Sequence, residues 1–202
     1  MLFRSGRLRH GSERELDGLG EDDEMSEMIV TLEQLRAARE FAEKVTPLRL
    51  RLYQNRRKDS PAPRELDPIK VSEDIRVSKV SEFAAMSWLN ERYGDGDCDG
   101  PDLKIYENPT WRHDLLSRHL GRVNVKFTYR GAMHRNGWSV QNEDKKQCDY
   151  WMFLEEISPS WFDIRYVVDN NTAASLSGHT RHDGVRNKKV LYPTDFPPET
   201  RR

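Results

Sequence analysis

An acidic residue, an amide and a lysine near the middle of the chain have the types and spacing of a site that hydrolyses phosphodiesters. Asp102 opens a short apolar run at 103–106, and a β-branched run at 122–129 carries Asn124 and Lys126. Residues i and i+2 of a strand share a face, so Asn124 and Lys126 are expected on one side and the intervening valine in the core. Asp102, entering the neighbouring strand, is expected to meet them at one edge of the sheet.

Phosphodiester hydrolysis needs a divalent cation to neutralise the phosphate and lower the pKa of the attacking water, and a cationic group to position that water. Magnesium prefers oxygen ligands and keeps several waters, so two or three protein oxygens can hold it. Residues 103–146 contain nine Lys and Arg against four Asp and Glu, whereas residues 78–102 contain two against six. An acidic segment directly before a basic one favours a divalent metal beside nucleic acid.

The expected helices precede these runs. Residues 31–45 place apolar side chains on one stripe, with Thr31 as N-cap and Gln34 completing a capping box. Pro47 is expected to end this helix, because proline disfavours helix in the residue before it. A second helix is expected at 78–93, closed by Gly94 just beyond its end.

The remaining elements are expected to be mostly strands. Leu48, Leu50 and Leu52 alternate with arginines and predict a short edge strand, followed by a linker at 55–67. A short helix is expected at 110–119. Four further strands are expected at 103–106, 122–129, 149–155 and 162–168.

This order predicts the α/β class, with a mixed sheet flanked by helices and a helical N-terminal extension. No segment is apolar and long enough to span a bilayer, and no secretory signal opens the chain, so we expect no membrane partner and a cytoplasmic location. The two cysteines have no metal-ligand spacing. The expected organisation is a disordered leader at 1–24, a helical extension and linker at 25–70, and the α/β domain at 71–202.

The pattern resembles the PD-(D/E)XK nuclease superfamily, whose members have the restriction-endonuclease-like fold. The likeness rests on Pro101-Asp102 and on Asn124-Val125-Lys126, and it covers about residues 78–168. It implies a metal-dependent endonuclease or exonuclease that acts on DNA in preference to RNA. It further implies Mg²⁺ or Mn²⁺ as the cofactor, and a homodimer is compatible with it.

The resemblance also implies a role for each matching residue. Asp102 is the main metal ligand, Asn124 is a second ligand in place of the usual carboxylate, and Lys126 positions the water or stabilises charge. Glu82 on the preceding helix is an acidic site residue, and Gln141 downstream contacts the site. A basic loop after the site strand would follow the nucleic-acid backbone through Arg130, His134 and Arg135.

Two alternatives stay open at this point. Asn124 can ligate magnesium but brings no charge, so the same fold is also compatible with a catalytically inactive module that binds nucleic acid or protein. Separately, Asp95, Asp97 and Asp99, followed by Gly100, match the first six positions of a calcium-binding loop. The twelfth position of that loop, where a glutamate is required, is Tyr106.

Overall fold

The structure is a computed structural model that describes residues 27–57, 66–106, 113–140, 148–176, 178–182 and 187–198. The expected leader at 1–24 lies outside these ranges. In chain order the elements are β1 (Glu27–Ile29), α1 (Leu32–Arg57), α2 (Pro68–Tyr93), β2 (Leu115–Ser117), β3 (Gly121–Tyr129), α3 (Met133–Asn136), β4 (Trp138–Val140), β5 (Tyr150–Ser158), β6 (Trp161–Asp169), α4 (Asn170–Ser175), β7 (His179–His182), β8 (Asn187–Leu191) and a 3₁₀ turn at Pro193–Asp195.

Helix α1 begins at the expected cap but does not end where the sequence predicts. The Thr31 amide donates to Gln34 Oε1 at 2.9 Å and the Gln34 amide donates to Thr31 Oγ1 at 3.2 Å, so the capping box is confirmed. The end at Pro47 is wrong, because the helix continues to Arg57. The edge strand expected at 48–52 is therefore wrong as well. Packing of α1 along α2 outweighs the local cost of one proline.

Helix α2 contains the expected helix at 78–93 but starts ten residues earlier. Asp67 caps it by accepting the Ile69 amide at 2.9 Å, and Pro68 occupies the first turn. Gly94, with φ of 103°, follows its last residue as expected. The expected boundary at residue 70 falls inside α2, and Val30 and Ala38 belong to the same core cluster as α2.

The main sheet is mixed, which confirms the α/β class. Within the described ranges, five strands lie in the order β1-β6-β5-β3-β2. Strands β3 and β5 are parallel, and the other neighbours are antiparallel. The strands expected at 122–129, 149–155 and 162–168 are confirmed as β3, β5 and β6. The N-terminal strand β1 pairs with β6 and completes one edge.

The two faces of this sheet contribute to two different core clusters. Val123, Val125 and Met152 pack on the side of α2, together with its Val80 and Leu89. On the other face, the described residues that cover β5 and β6 come from α4, the 3₁₀ turn region and a small sheet of strands β4, β8 and β7. Helices therefore flank one face, and a second sheet covers much of the opposite one.

Trp138 joins the second sheet to the main sheet. Its side chain is fully buried, its Nε1 donates to the Leu154 carbonyl oxygen at 2.8 Å, and its ring contacts Phe153 and Phe196 edge-on. A buried indole N–H needs such an acceptor, so this bond fixes the ring's orientation as well as its depth.

Two further expected elements are wrong. Residues 103–106 form no strand, because the Asp102 carboxylate accepts the Lys104 amide at 2.8 Å and makes a local turn instead of a ladder. The helix expected at 110–119 is replaced by β2 and a turn at 118–120, while 110–112 lie outside the described residues. Pairing of Leu115 and Ser117 with β3 decides this segment.

Two glycines with positive φ allow a matched test of the junction that places Trp138. Gly137 has φ of 56° and Gly131 has φ of 66°. A Cβ at Gly137 would overlap the Leu191 carbonyl oxygen, whereas a Cβ at Gly131 meets nothing within 4 Å. We expect Gly137→Ala to lower the free energy of unfolding by at least about 2 kcal/mol more than Gly131→Ala. Urea unfolding measures both losses, and equal losses would contradict the steric argument.

Candidate active site around Glu82 and Asp114

Glu82 is a buried carboxylate on α2 with a lysine beside it. It is 3% exposed, and its Oε2 lies 2.6 Å from Lys79 Nζ. Burial raises the pKa of Glu82 to about 8, although the Lys79 ammonium pulls it downward. The negative charge of Asp114 raises the same pKa and the positive charge of Lys126 lowers it. Glu82 is therefore within electrostatic reach of both.

Asp114 lies at the edge of β3, just before β2 begins. Its backbone N–H donates to the Val123 carbonyl at 3.0 Å, and its Oδ2 accepts the Val125 N–H at 2.7 Å. These two bonds flank Asn124 on either side along the strand, so Asp114 stands opposite Asn124. Strand β2 ends its pairing at Val123, and the carboxylate takes the place of a further strand residue.

Asn124 and Lys126 share one face of β3, as the strand period predicts. That face is less open than expected: Asn124 is 5% exposed, and the Lys126 ammonium lies 5.5 Å from the centroid of the Trp151 ring. The Asn124 side-chain amide makes no hydrogen bond with any residue in the described ranges.

No contact among the described residues supports the expected meeting of Asp102 with Asn124 and Lys126. Asp102 stays in the 101–106 segment, where its carboxylate accepts the Lys104 amide and the Tyr106 hydroxyl, each at 2.8 Å. Burial raises its pKa, but these hydrogen bonds and the charges of Lys104 and Lys79 outweigh burial and lower it overall. Within the described residues, Asp102 makes no hydrogen bond or ion pair with Asn124 or Lys126.

Asp114 is the site residue that sequence reasoning missed. It was assigned to the helix expected at 110–119, which concealed its position at the entrance of a strand. The signal was present in the sequence: an acidic residue precedes the apolar pair Leu115-Leu116, and Gly121 follows at hairpin distance. Gly121 has φ of 73°, as tight strand connections often require.

The other expected site residues have no described contact with Asn124, Lys126 or Asp114. Arg130 is exposed immediately after β3, and Arg135 is exposed on α3. His134 belongs to α3, but its side chain is outside the described part of the structure, as is Gln141. Arg130 lies four residues beyond Lys126 along the strand direction, roughly 13 Å away.

The oxygen-bearing residues at this part of β3 suit a hard cation in type. Glu82 and Asp114 carry carboxyl oxygens and Asn124 carries an amide oxygen, which are the ligand types that magnesium prefers. In the described ranges no group of three or more His, Cys, Asp and Glu lies close enough to hold a metal ion. A magnesium ion here would therefore rest on two carboxylates, an amide and its own waters.

Asp97, one of the three aspartates of the alternative calcium loop, is held by protein donors. Asp97 is turned inward, and its carboxylate accepts the Ser117 hydroxyl and the His119 amide. Its oxygens are therefore engaged by protein donors.

Comparison of the chain with protein-family models, with curated proteins and with solved structures gave no significant match. Within the described residues, no helix is long and apolar enough to cross a membrane.

The raised pKa of Glu82 predicts a specific loss of stability with rising pH. The native state keeps this proton up to about pH 8, whereas the unfolded state releases it near the ordinary glutamate pKa of 4.5. From pH 5 to pH 8 the native state binds more protons, so the free energy of unfolding falls by about 3 kcal/mol. In Glu82→Gln this contribution is absent and the fall is smaller.

Urea unfolding at both pH values, in buffer with a chelator, measures this difference. Glu73→Gln is the matched control on the same helix, because Glu73 is exposed and hydrogen-bonded to Arg76. The Glu73→Gln variant should show the same fall in the free energy of unfolding between pH 5 and pH 8 as the wild-type protein. If the free energy of unfolding fell as much in Glu82→Gln as in the wild-type protein, the pH dependence could not be assigned to Glu82.

Proposed function

We propose that the protein is a metal-dependent nuclease that hydrolyses phosphodiester bonds in DNA. The observation that carries this proposal is the position of Asp114 opposite Asn124, two residues before Lys126, with Glu82 within electrostatic reach. The sequence suggested a pattern of two parts. An acidic residue enters one strand, and an oxygen donor lies two residues before a lysine on the neighbouring strand. This pattern is met by β2 and β3, with Asp114 in the role expected of Asp102.

The finer fold proposal follows from the same assignment. In a restriction-endonuclease-like core, we assign α2 as the helix that carries the acidic Glu82, and β2 and β3 as the strand pair that carries the site. Glu82 approaches from the α2 side of β3, and Asn124 and Lys126 lie on the other side. Asp114 lies at the strand edge between them. The site is thus centred on the part of the β3 edge that β2 leaves uncovered.

Each residue has a distinct role in this proposal. Asp114, Glu82 and Asn124 would hold Mg²⁺ or Mn²⁺, which supplies charge neutralisation at the phosphate and a water of lowered pKa. Lys126 contributes the positive charge that orients the attacking water and stabilises the negative charge that develops on the phosphate. Lys79 holds the Glu82 carboxylate at 2.6 Å and restricts its rotation.

The basic side chains beyond β3 support a nucleic-acid substrate. Arg130 and Arg135 are exposed beyond the C-terminal end of the strand that carries Lys126. The surplus of positive charge between residues 103 and 146 adds attraction that does not depend on base sequence. DNA binding should accordingly weaken as the salt concentration rises. The slope of the logarithm of the binding constant against the logarithm of the salt concentration should become shallower when either arginine is replaced.

Asp114→Asn and Lys126→Ala test the assignment. An asparagine at 114 can still accept the Val125 N–H through its amide oxygen, so the strand edge is retained while the charge is removed. We expect each change to lower the Mg²⁺-dependent cleavage rate on plasmid and single-stranded DNA by at least about 100-fold.

Two matched controls separate this effect from a general change in charge. Asp102→Asn and Lys104→Ala remove the same charges from exposed positions in the neighbouring 101–106 segment. Both should retain cleavage within about threefold, which is the ordinary scatter of surface substitutions expressed as a rate. If Asp102→Asn lowered the cleavage rate as much as Asp114→Asn, Asp102 would have to be assigned as a metal ligand. Absence of cleavage in the parent protein with either metal would remove the enzyme proposal.

A second candidate function rests on the missing charge at Asn124. The same fold with a neutral amide at this position would serve as an inactive module that binds nucleic acid or protein. Asn124→Asp distinguishes the two proposals, because a carboxylate strengthens binding of a divalent cation. In an enzyme we expect a gain in Mg²⁺ affinity, measured by calorimetry, with cleavage retained or raised. An inactive module would gain neither.

A further inference from the structure

A second polar cluster lies at the turn of the β2–β3 hairpin, where Asp97 meets His119. His119 Nδ1 lies 2.6 Å from Asp97 Oδ1, and the same oxygen accepts the His119 backbone N–H at 3.0 Å. The other carboxylate oxygen accepts the Ser117 hydroxyl at 2.5 Å. Asp97 is 4% exposed, whereas the His119 side chain is 58% exposed. A buried carboxylate thus holds one edge of an imidazole whose other edge faces solvent.

The proton arrangement on His119 follows from the donors around Asp97. Burial raises the pKa of Asp97, but the hydrogen bonds from Ser117 and His119 outweigh burial and lower it overall. Asp97 is therefore ionised at neutral pH and can only accept hydrogen bonds. Nδ1 must carry the proton in this contact, so the lone pair of the neutral imidazole is on Nε2.

The ring plane of His119 is fixed by a second contact. The Tyr93 ring stacks on it with centroids 4.9 Å apart and an interplanar angle of 14°. Tyr93 in turn contacts Trp88 edge-on at 6.2 Å. Both residues belong to the last turns of α2, so the imidazole is held from the helix on one face and from Asp97 on one edge.

The backbone of the turn is already held without the imidazole. The Arg118 N–H donates to the Asp97 carbonyl at 2.9 Å, and the Leu120 N–H donates to Ser117 Oγ at 2.9 Å. Cys98 also forms a β-bridge with Ser117. The contact between Nδ1 and the carboxylate therefore adds orientation of the ring rather than closure of the turn. Because the Asp97 carboxylate holds Nδ1, the Nε2 atom of His119 is activated as a nucleophile.

We propose that His119 Nε2 is a phosphoryl-accepting site for a small phosphoryl donor with a good leaving group. In the step, the Nε2 lone pair forms an N–P bond while the bond from phosphorus to the leaving group breaks, and the leaving group takes that electron pair. The proton on Nδ1 stays in place, so the ring becomes positively charged next to Asp97. The carboxylate stabilises this charge as it develops.

The surroundings favour group transfer from a free donor over hydrolysis of a bound substrate. The Nε2 edge of the His119 ring is open to solvent, so a small phosphoryl donor can reach it without a pocket. Arg118 is exposed and adjacent in the turn. The site is independent of the proposed nuclease site, because Asp114 lies three strand residues away from Ser117, roughly 10 Å.

The test uses phosphoramidate as the donor and the full chain as the acceptor. For phosphoramidate the leaving group is ammonia, so the reaction needs no further reactant. Phosphohistidine is followed by ³¹P NMR and located by tandem mass spectrometry. His179 is the matched internal reference, because it is exposed and its ring lies 5.2 Å from that of Tyr192, without a carboxylate partner among the described residues. We expect His119 to react about tenfold faster than His179.

Two comparisons separate activation from a structural role. Asp97→Asn should lower the rate at His119 to about that of His179, because the amide can donate to Nδ1 and leave the proton on Nε2. Unfolding the parent protein in urea should do the same, and this arm does not require the variant to fold. Equal rates at His119 and His179 in the folded parent protein would overturn the proposal. An unchanged rate at His119 in folded Asp97→Asn would overturn it as well.

Discussion

The candidate site depends on one hydrogen-bonding requirement. The Val125 N–H needs an acceptor at a point of β3 that β2 does not reach. Strand β3 is nine residues long, but β2 pairs with only its first three. A backbone donor left without a partner at a buried edge costs as much as a lost hydrogen bond. Asp114 meets this requirement with its side chain, and its charge is thereby fixed beside Asn124. The position of the carboxylate thus follows from backbone satisfaction before any question of chemistry.

The same strand separates two environments that a site needs. On the α2 side, valines pack against a helix that also carries Glu82, so its carboxyl group is held in a dry setting. On the other side, Asn124 and Lys126 lie next to aromatic side chains of the second core cluster. Low polarity on both sides strengthens every electrostatic interaction at the open strand edge. This explains why Glu82 responds to Asp114 and Lys126 together.

The long elements could be predicted from the sequence, whereas the short ones could not. The runs that became β3, β5 and β6 hold enough β-branched and aromatic residues for their period to be read locally. Strand β2 has three residues, and its state is decided by pairing with β3 rather than by its own pattern. Leu48, Leu50 and Leu52 show the opposite case, because their alternation fits a strand but packing along α2 keeps them helical. For the site, the shared face of Asn124 and Lys126 follows from strand period alone. Asp114 could not be assigned, since its place depends on β2.

The pairing of β1 with β6 has a consequence for how the chain folds. Glu27 lies opposite Asp163, so partners in this ladder are 136 positions apart in the sequence. Contacts of such long separation are formed late and slow the search for the native state. During synthesis β1 is made first and β6 much later, so the residues of β1 have no strand partner until most of the chain has been produced. The two long helices, whose contacts are local, are complete well before that edge of the sheet can close.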